Sequence, residues 1–281
     1  MAFTISMSSL TILNIMSKNL VILAAGKESL HRQCKWVSNE NFDLMINYYG
    51  SGNDEFLHDA IYYERFKGTK FNIVSQLYNK FKDVIDSYNY IFIPDDDLYI
   101  TAEDLNRFFV IVEKYNLQIS QPSLIGWASL PITLHHPGNV LRYTNWVEIM
   151  CPCFSSSAFK KCSETFSEND TNWGIEWLWT KALDFPKDQI AIVDSSIIAH
   201  TRPCFFGDTY RLNGNNFEKA YGELNQIKNK YNLSSIEHEV FSFVKKPDNT
   251  FSDLPSEDKF FPPVEYLKQM IVSLRNQDLF L

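Results

Sequence analysis

A short apolar run that ends in three consecutive carboxylates is the feature that most constrains the fold of this chain. Residues 90–93 read Tyr-Ile-Phe-Ile, and Pro94 separates them from Asp95, Asp96 and Asp97. An apolar run of this length with a turn signal after it predicts a buried strand. Three adjacent carboxylates repel one another and lose hydration when crowded, and a divalent cation is the usual reason for such a cluster. The sequence therefore predicts a metal site at a strand end, holding the phosphates of a nucleotide.

Length and composition favour one large α/β domain. The chain has 281 residues, of which 45% are hydrophobic and 15% aromatic, enough for a sizeable core. The net charge is −8 and the basic residues are dispersed, which argues against general nucleic-acid binding.

No apolar segment reaches the roughly 18 residues of a bilayer span, and the first 16 residues lack a basic signal-peptide region. Five cysteines without metal-site spacing favour a reducing compartment. We expect a cytoplasmic protein without a membrane span.

Strand and helix signals alternate along the chain, as in an α/β fold. Val74, Leu77 and Phe81 recur near helical spacing and predict a helix from about residue 72 to residue 88. Thr101 opens a capping box and predicts the start of another helix. Further strands are expected at 19–26, 42–50, 118–122 and 190–195, and further helices at 157–161, 172–183, 217–231 and 264–274.

Residues near the predicted strand ends are candidates for nucleotide contacts. Ala24 and Ala25 are small residues at the end of the first strand, where a ligand can approach the backbone. Tyr48 and Tyr49 either stack on a base or belong to the core. Lys70 stands at the start of a helix, where it either reaches a diphosphate or is a solvated surface residue.

A tryptophan-rich segment and a strand-end histidine supply the remaining candidates. Trp173, Trp177 and Trp179 surround Glu176, and aromatic faces are platforms for sugar rings, although a tryptophan-rich core is the alternative. Burial beside aromatic rings raises the pKa of a carboxyl group towards that of an acid–base catalyst. His200 follows an apolar strand directly and is either structural or a metal ligand.

Residues 93–98, Ile-Pro-Asp-Asp-Asp-Leu, resemble the Asp-x-Asp motif of nucleotide-sugar-dependent glycosyltransferases of the GT-A fold. The preceding strand, the Trp-Gly-x-Glu segment at 173–176 and His200 occur in the order typical of that superfamily. The region from Tyr90 to His200 also resembles a little-characterised family of glycosyltransferase-like proteins of plants and microbes. The similar segments are 119–122, 143–150, 173–176 and 193–195. These blocks and the chain length are similar as well to a xylosyltransferase of large algal viruses.

The resemblance implies a GT-A-like α/β domain whose mixed central sheet is flanked by helices. A Rossmann-like nucleotide-binding half would occupy about residues 18–100, and an acceptor half about 101–205. Helices and an arm would follow at about 206–281. The implied activity is transfer of a sugar, with inversion, from a UDP-sugar such as UDP-xylose or UDP-galactose to a hydroxyl group of a glycan acceptor.

The resemblance also implies roles for the donor-side residues. Asp97 would coordinate Mn²⁺ or Mg²⁺, and His200 would be a further contact to the ion. Asp95 would contact the ion directly, through a bound water, or contact the ribose, while Asp96 orients its neighbours on the nucleotide side. Lys70 or Arg202 would hold the diphosphate.

On the acceptor side, the resemblance implies that Glu176 is the general base, with Glu148 and Asp170 as reserves. The plant-like family is expected to have aspartate where this chain has Glu176, a change that keeps the carboxylate and lengthens its reach. Two other classes stay open at this point. One is a nucleotidyltransferase or another phosphoryl-transfer enzyme, and the other is a non-catalytic sugar-binding module.

Overall fold

In the computed structural model, which describes residues 18–203, 212–233 and 235–246, ten strands form one mixed sheet. Their order across the sheet is β10-β7-β9-β6-β8-β4-β1-β2-β3, and β5 pairs with β9 off this path. The strands are β1 (Asn19–Ala25), β2 (Phe42–Tyr48), β3 (Tyr62–Glu64), β4 (Tyr90–Phe92), β5 (Leu98–Tyr99), β6 (Ile119–Gly126), β7 (Asn139–Thr144), β8 (Cys153–Ser155), β9 (Ile190–His200) and β10 (Val240–Lys245).

The direction of the strands divides the sheet into two parts. β3, β2, β1 and β4 run parallel to one another, so their carboxyl ends meet at one edge. β8 runs antiparallel to both β4 and β6, and beyond it β6 and β9 are again parallel. β7 and β10 extend the sheet in antiparallel fashion. The parallel part is buried on both faces, and its strands are accordingly almost wholly apolar.

Helices cover both faces of the sheet. They are α1 (Lys70–Ile85), α2 (Ala102–Lys114), α3 (Ser156–Cys162), α4 (Ile175–Ala182) and α5 (Phe217–Lys230). Thr101 caps α2 by accepting a hydrogen bond from the backbone N–H of Asp104, as the capping box predicts.

Two hydrophobic clusters lie on opposite faces of the sheet, and β1 contributes to both. Leu20, Ile22 and Ala24 belong to the cluster of α1, α3 and α4, whereas the alternate residues 21, 23 and 25 belong to the cluster of α2. This alternation follows from the two-residue period of a strand. This alternation determines which residues at the end of a strand can contact a ligand on a given face of the sheet.

The predicted α/β class, with a mixed central sheet flanked by helices, is confirmed, and the arrangement is consistent with a GT-A-like domain. Several details differ from the prediction. The strand predicted at 190–195 continues to His200, and the strand predicted at 118–122 continues to Gly126. The N-terminal segment to residue 16, the helix at 264–274 and nearly all of the preceding arm lie outside the described residues. Among the described residues, no helix combines the length and apolarity needed to cross a membrane.

Candidate functional site

A cavity of about 410 Å³ lies beyond the carboxyl ends of β1 and β4, between the three aspartates and helices α4 and α5. Open α/β sheets bind ligands at this edge. The cavity unites residues that are far apart in the sequence. Those proposed from the sequence that line it are Ala24, Tyr49, Lys70, Asp95, Asp96, Asp97, Glu148, Trp173, Glu176, Trp177 and His200.

Residues 95–97, here called the carboxylate loop, are fixed to the sheet on both sides. On one side the backbone N–H of Asp95 donates to the carbonyl of Met150 at 2.8 Å. On the other side Thr201 donates from its N–H and its hydroxyl to the carbonyl of Asp97, at 3.2 and 2.6 Å. Leu98 then pairs with His200 in the sheet. The loop is therefore held in place by backbone contacts, which leaves its side chains to other partners.

Asp96 is bound to the end of β1 and the end of β2. Its Oδ2 accepts hydrogen bonds from the Gly26 N–H at 2.6 Å and the Tyr49 hydroxyl at 3.0 Å. Burial and the neighbouring Asp97 raise the pKa of Asp96 to about 7, although Gly26, Arg202 and Tyr49 oppose the rise. Asp96 thus connects the carboxylate loop to the first two strands, an orienting role like the one expected for it.

Lys70 lines the cavity next to Asp95. Its ammonium nitrogen lies 2.6 Å from Asp95 Oδ1 and also donates to the carbonyls of Ile149 and, at 3.0 Å, Met150. An ammonium group has three donors, and these contacts engage all of them. Lys70 therefore joins the carboxylate loop to residues 149 and 150, and its positive charge is paired with Asp95. The alternative of a solvated surface lysine is wrong, because Lys70 is buried.

Asp97 and His200 face each other at the inner end of the cavity. His200 Nδ1 lies 2.9 Å from the carbonyl oxygen of Trp127, and a carbonyl only accepts, so Nδ1 carries a proton. Nε2 then points at Asp97 Oδ2, 3.5 Å away. Asp97 Oδ1 is buried and has no hydrogen-bond partner among the described residues. Burial would raise the pKa of Asp97, but His200 and Arg202 lower it below its usual value.

The pair of Asp97 and His200 fits a divalent cation in ligand type. A carboxylate oxygen and an imidazole nitrogen whose other nitrogen is hydrogen-bonded are ligands that Mn²⁺ accepts. Within the described ranges, no group of three or more histidine, cysteine, aspartate or glutamate side chains is placed to hold a metal. Any remaining coordination positions would therefore fall to water or to phosphate oxygens of a ligand. Asp95, the other predicted ligand, is paired with Lys70 instead.

Glu176 lies on the opposite side of the cavity, in the first turn of α4. Its Oε2 accepts a hydrogen bond from the Gly174 N–H at 3.0 Å, and the residue is buried. Burial raises the pKa of Glu176 to about 8, and Glu148 adds to the rise, while the backbone N–H groups and Lys228 oppose it. A carboxyl group with this pKa exchanges its proton near neutral pH, as an acid–base catalyst must.

Aromatic rings surround Glu176 and form a wall of the cavity. The ring of Trp177 lies 6.4 Å from that of Trp146, and His238 contacts both, with centroid distances of 4.8 Å. Lys228 lies over Trp177, 5.1 Å from its centroid. This aromatic wall, defined by Trp146, Trp173, Trp177 and His238, lines the cavity. Trp146 and Trp177 are almost fully buried, whereas Trp173 and His238 are more accessible.

Comparisons with known proteins place the chain in a family. The sequence profile described as "Protein of unknown function (DUF707)" matches residues 7–142 and 133–246. The chain belongs to the DUF707 family. A search of curated proteins gives no match.

Among solved structures, the DUF707 chain is similar to S. aureus TarS, with 11% identity and a TM-score of 0.46. The match covers 78% of this chain and 46% of the TarS chain, so it spans less than half of that protein. A TM-score below 0.5 carries no argument about function. The fold of the DUF707 protein is established by the strand order of its own sheet.

Three residues proposed for nucleotide contacts do not line the cavity of the DUF707 protein. Tyr48 is almost fully buried in the α2 cluster and packs edge-on against Phe56, so it cannot stack on a base in the cavity. Ala25 belongs to the same cluster, because it alternates with Ala24. Arg202 does not line the cavity and donates to the Glu28 carbonyl at 2.9 Å.

Not all of the predicted tryptophans and reserve carboxylates line the cavity of the DUF707 protein. Trp179 packs in the core against Phe71 and Phe154 rather than lining the cavity. Asp170, a reserve for the base, is exposed and paired with Lys219 at 2.9 Å. Glu148, the other reserve, lies inside the cavity.

Two residues of the DUF707 site could not be singled out from the sequence. Tyr49, and not its neighbour Tyr48, lines the cavity and binds Asp96. Ser129 lies outside every predicted element, and its hydroxyl donates to Glu148. No pattern in the sequence links Ser129 to Glu148.

Proposed function

We propose that this protein is a metal-dependent glycosyltransferase that moves a sugar from a nucleotide-sugar donor to a hydroxyl group of a glycan acceptor. One observation carries the proposal. A single cavity is lined by three crowded carboxylates that follow a strand, and by a buried carboxyl group with a pKa of about 8 near aromatic rings. This arrangement supports a donor held by its phosphates next to an acceptor held by its sugar face. The likeness of residues 93–98 to the Asp-x-Asp motif supports it too.

On the donor side, Asp97 and His200 would hold a divalent cation, Mn²⁺ or Mg²⁺. When bound, such an ion supplies charge neutralisation to the departing nucleoside diphosphate. Asp96 keeps the loop against the ends of β1 and β2, and Lys70 keeps Asp95 in place. The donors to test first are UDP-sugars, among them UDP-xylose and UDP-galactose.

On the acceptor side, the carboxylate of Glu176 would take the proton of the attacking hydroxyl group. As the acceptor oxygen forms its bond to the anomeric carbon, the bond from that carbon to the phosphate oxygen breaks, and the electron pair leaves with the nucleoside diphosphate. Attack from the face opposite the leaving group inverts the anomeric configuration. The aromatic wall would hold the acceptor sugar while Glu176 accepts the proton.

A binding experiment tests the donor side. Asp97→Asn should weaken Mn²⁺-dependent UDP binding about ten- to a hundredfold, because the variant loses a charged ligand but keeps the shape of the side chain. Calorimetric titration of UDP with and without Mn²⁺ measures this, and circular dichroism checks the fold. Asp170→Asn is the matched control, since Asp170 is exposed and lies outside the cavity. Unchanged UDP binding in Asp97→Asn would move the metal site elsewhere.

An activity screen tests the reaction itself. Purified protein is incubated with a panel of nucleotide sugars, with and without Mn²⁺, and release of nucleoside diphosphate is followed. Slow donor hydrolysis that requires Mn²⁺ and saturates with one nucleotide sugar is the expected result. Saccharide binding without nucleotide binding would instead indicate a sugar-binding module.

A further inference from the structure

Glu148 is a buried carboxylate with one oxygen held by the protein and the other without a partner. The residue is 3% exposed. Its Oε1 accepts hydrogen bonds from the Ser129 hydroxyl and, at 3.4 Å, the Ser129 N–H. Its own N–H donates to Gln121 Oε1 at 2.6 Å, which fixes the backbone. Oε2 has no hydrogen-bond partner within the part of the chain that the structure describes. A buried polar atom without a partner costs free energy and calls for an explanation.

Glu148 lines the same cavity as the carboxylate loop and Glu176. Burial raises the pKa of Glu148, and Asp95 adds to the rise. Glu148 in turn adds to the raised pKa of Glu176. Lys70 ties the adjacent residues Ile149 and Met150 to Asp95. Glu148 is therefore next in sequence to residues tied to the carboxylate loop, and it shares the cavity with the proposed base.

A transferred sugar would occupy the cavity that the carboxylate loop, Glu148 and Glu176 line together. Resting on the proposed function, we propose that Glu148 Oε2 binds a hydroxyl group of the donor sugar and thereby selects the donor. A sugar hydroxyl can donate to a carboxylate or accept from a carboxylic acid, so the contact forms in either protonation state. A donor without this hydroxyl leaves Oε2 unsatisfied, and buried sites discriminate strongly against such analogues.

The test compares binding of UDP with binding of the UDP-sugar identified by the activity screen, in the presence of Mn²⁺. Glu148→Gln keeps the shape of the side chain, and Glu103→Gln is the control, because Glu103 is an exposed carboxylate on α2. We expect UDP affinity to stay within about twofold in Glu148→Gln, while UDP-sugar affinity falls about ten- to a hundredfold. Circular dichroism and thermal melting check that the variant is folded.

Deoxy analogues of the UDP-sugar, each lacking one hydroxyl group, identify the contact without relying on the variant. The wild type should bind one analogue about ten- to a hundredfold more weakly, and Glu148→Gln should bind that analogue and the parent donor alike. Equal binding of all analogues by the wild type would overturn the inference.

Three other outcomes would also overturn it, and each points to a different cause. Loss of UDP binding in Glu148→Gln would make Glu148 a nucleotide or metal ligand. Unchanged UDP-sugar binding with transfer abolished, together with an active Glu176→Gln, would make Glu148 the base. A wild type that binds no nucleotide sugar would remove the proposed function along with this inference.

Discussion

At the scale of single residues, the chemistry of the site depends on carboxyl groups that are crowded and buried. Asp96 and Glu176 have pKa values raised to about 7 and 8, mainly by burial. Asp97 differs, because His200 and Arg202 more than offset the effect of burial and lower its pKa. One cavity thus contains a carboxylate that stays charged and a carboxyl group that exchanges its proton near neutral pH, the combination that acid–base chemistry beside a cation requires.

The raised pKa of Glu176 predicts a pH-dependent stability that does not depend on the proposed activity. In the unfolded chain this glutamate releases its proton near its ordinary pKa of 4.5, whereas in the folded protein it keeps the proton until about pH 8. The folded state therefore binds more protons between these values, and this contribution to stability is lost as the pH rises through that window. Glu176→Gln removes the contribution. Urea unfolding at pH 5, 6.5 and 8 should show a less steep decline for Glu176→Gln than for the wild type.

The control for this experiment is Glu103→Gln, which changes an exposed carboxylate on α2 outside the cavity. Parallel stability curves for the wild type and Glu176→Gln would contradict the raised pKa of Glu176.

Lys70 predicts a second measurable effect at this scale. Lys70→Met would leave Asp95 next to Asp97 without its cation, and the carbonyls of Ile149 and Met150 without a donor. Breaking such a contact should lower the free energy of unfolding by about 2–4 kcal/mol, somewhat less than for a fully buried pair, since the Asp95 side chain is 36% exposed. The same substitution in an Asp95→Asn background should cost less, as urea unfolding of the four proteins would measure. Equal losses in both backgrounds would show that the ion pair is not the cause.

At the scale of elements, the contact between α4 and α5 positions the aromatic side of the cavity. Gly174 precedes α4 with a φ of +90°, a conformation that favours glycine. A Cβ at this position would lie 3.0 Å from Leu224 Cδ1 and 3.2 Å from Leu224 Cα in α5. Glycine therefore lets the two helices approach each other at the point where Glu176 enters the cavity.

Gly174→Ala should lower the free energy of unfolding by about 2–3 kcal/mol, the sum of a strained backbone and a close contact with a neighbouring backbone atom. Gly138→Ala is the matched control, because Gly138 has a φ of +85° but no atom within 4 Å of a built Cβ. It should cost only about 1 kcal/mol. Chemical denaturation of both variants separates strain from packing, and equal losses would mean that α4 and α5 are not in tight contact here.

At the scale of the whole molecule, much of the fold followed from sequence and some of it could not. The apolar runs of β1, β2 and β4 and the helical spacing of α1, α2 and α5 are local signals, and the structure confirms them. β5 has two residues and β3 has three, too few for a period to be visible, and their existence depends on pairing with distant strands. Ser195 and Ser196 interrupt the apolar pattern of β9 and lie at an irregularity in its pairing with β6, which resumes at Ile197 and extends to His200.

The candidate site was predictable to the extent that chemistry follows directly from a strand end. The carboxylate loop and His200 were found this way and Glu176 by its tryptophan neighbours, and the structure brings them to one cavity. The choice between Tyr48 and Tyr49 was not predictable, because both faces of the parallel strands are buried and hydrophobicity does not distinguish them. The environment of Glu148 depends on Ser129 and Gln121, contacts that only the tertiary structure creates.

The anchoring of the carboxylate loop on both sides has a consequence for the thermodynamics of binding. Because backbone contacts to Met150 and Thr201 already fix the loop, the entropy of ordering it is lost when the chain folds rather than when a ligand arrives. The site is thus preorganised, and its affinity is linked to the stability of β8 and β9. A substitution that loosens either strand would weaken binding without touching the ligand.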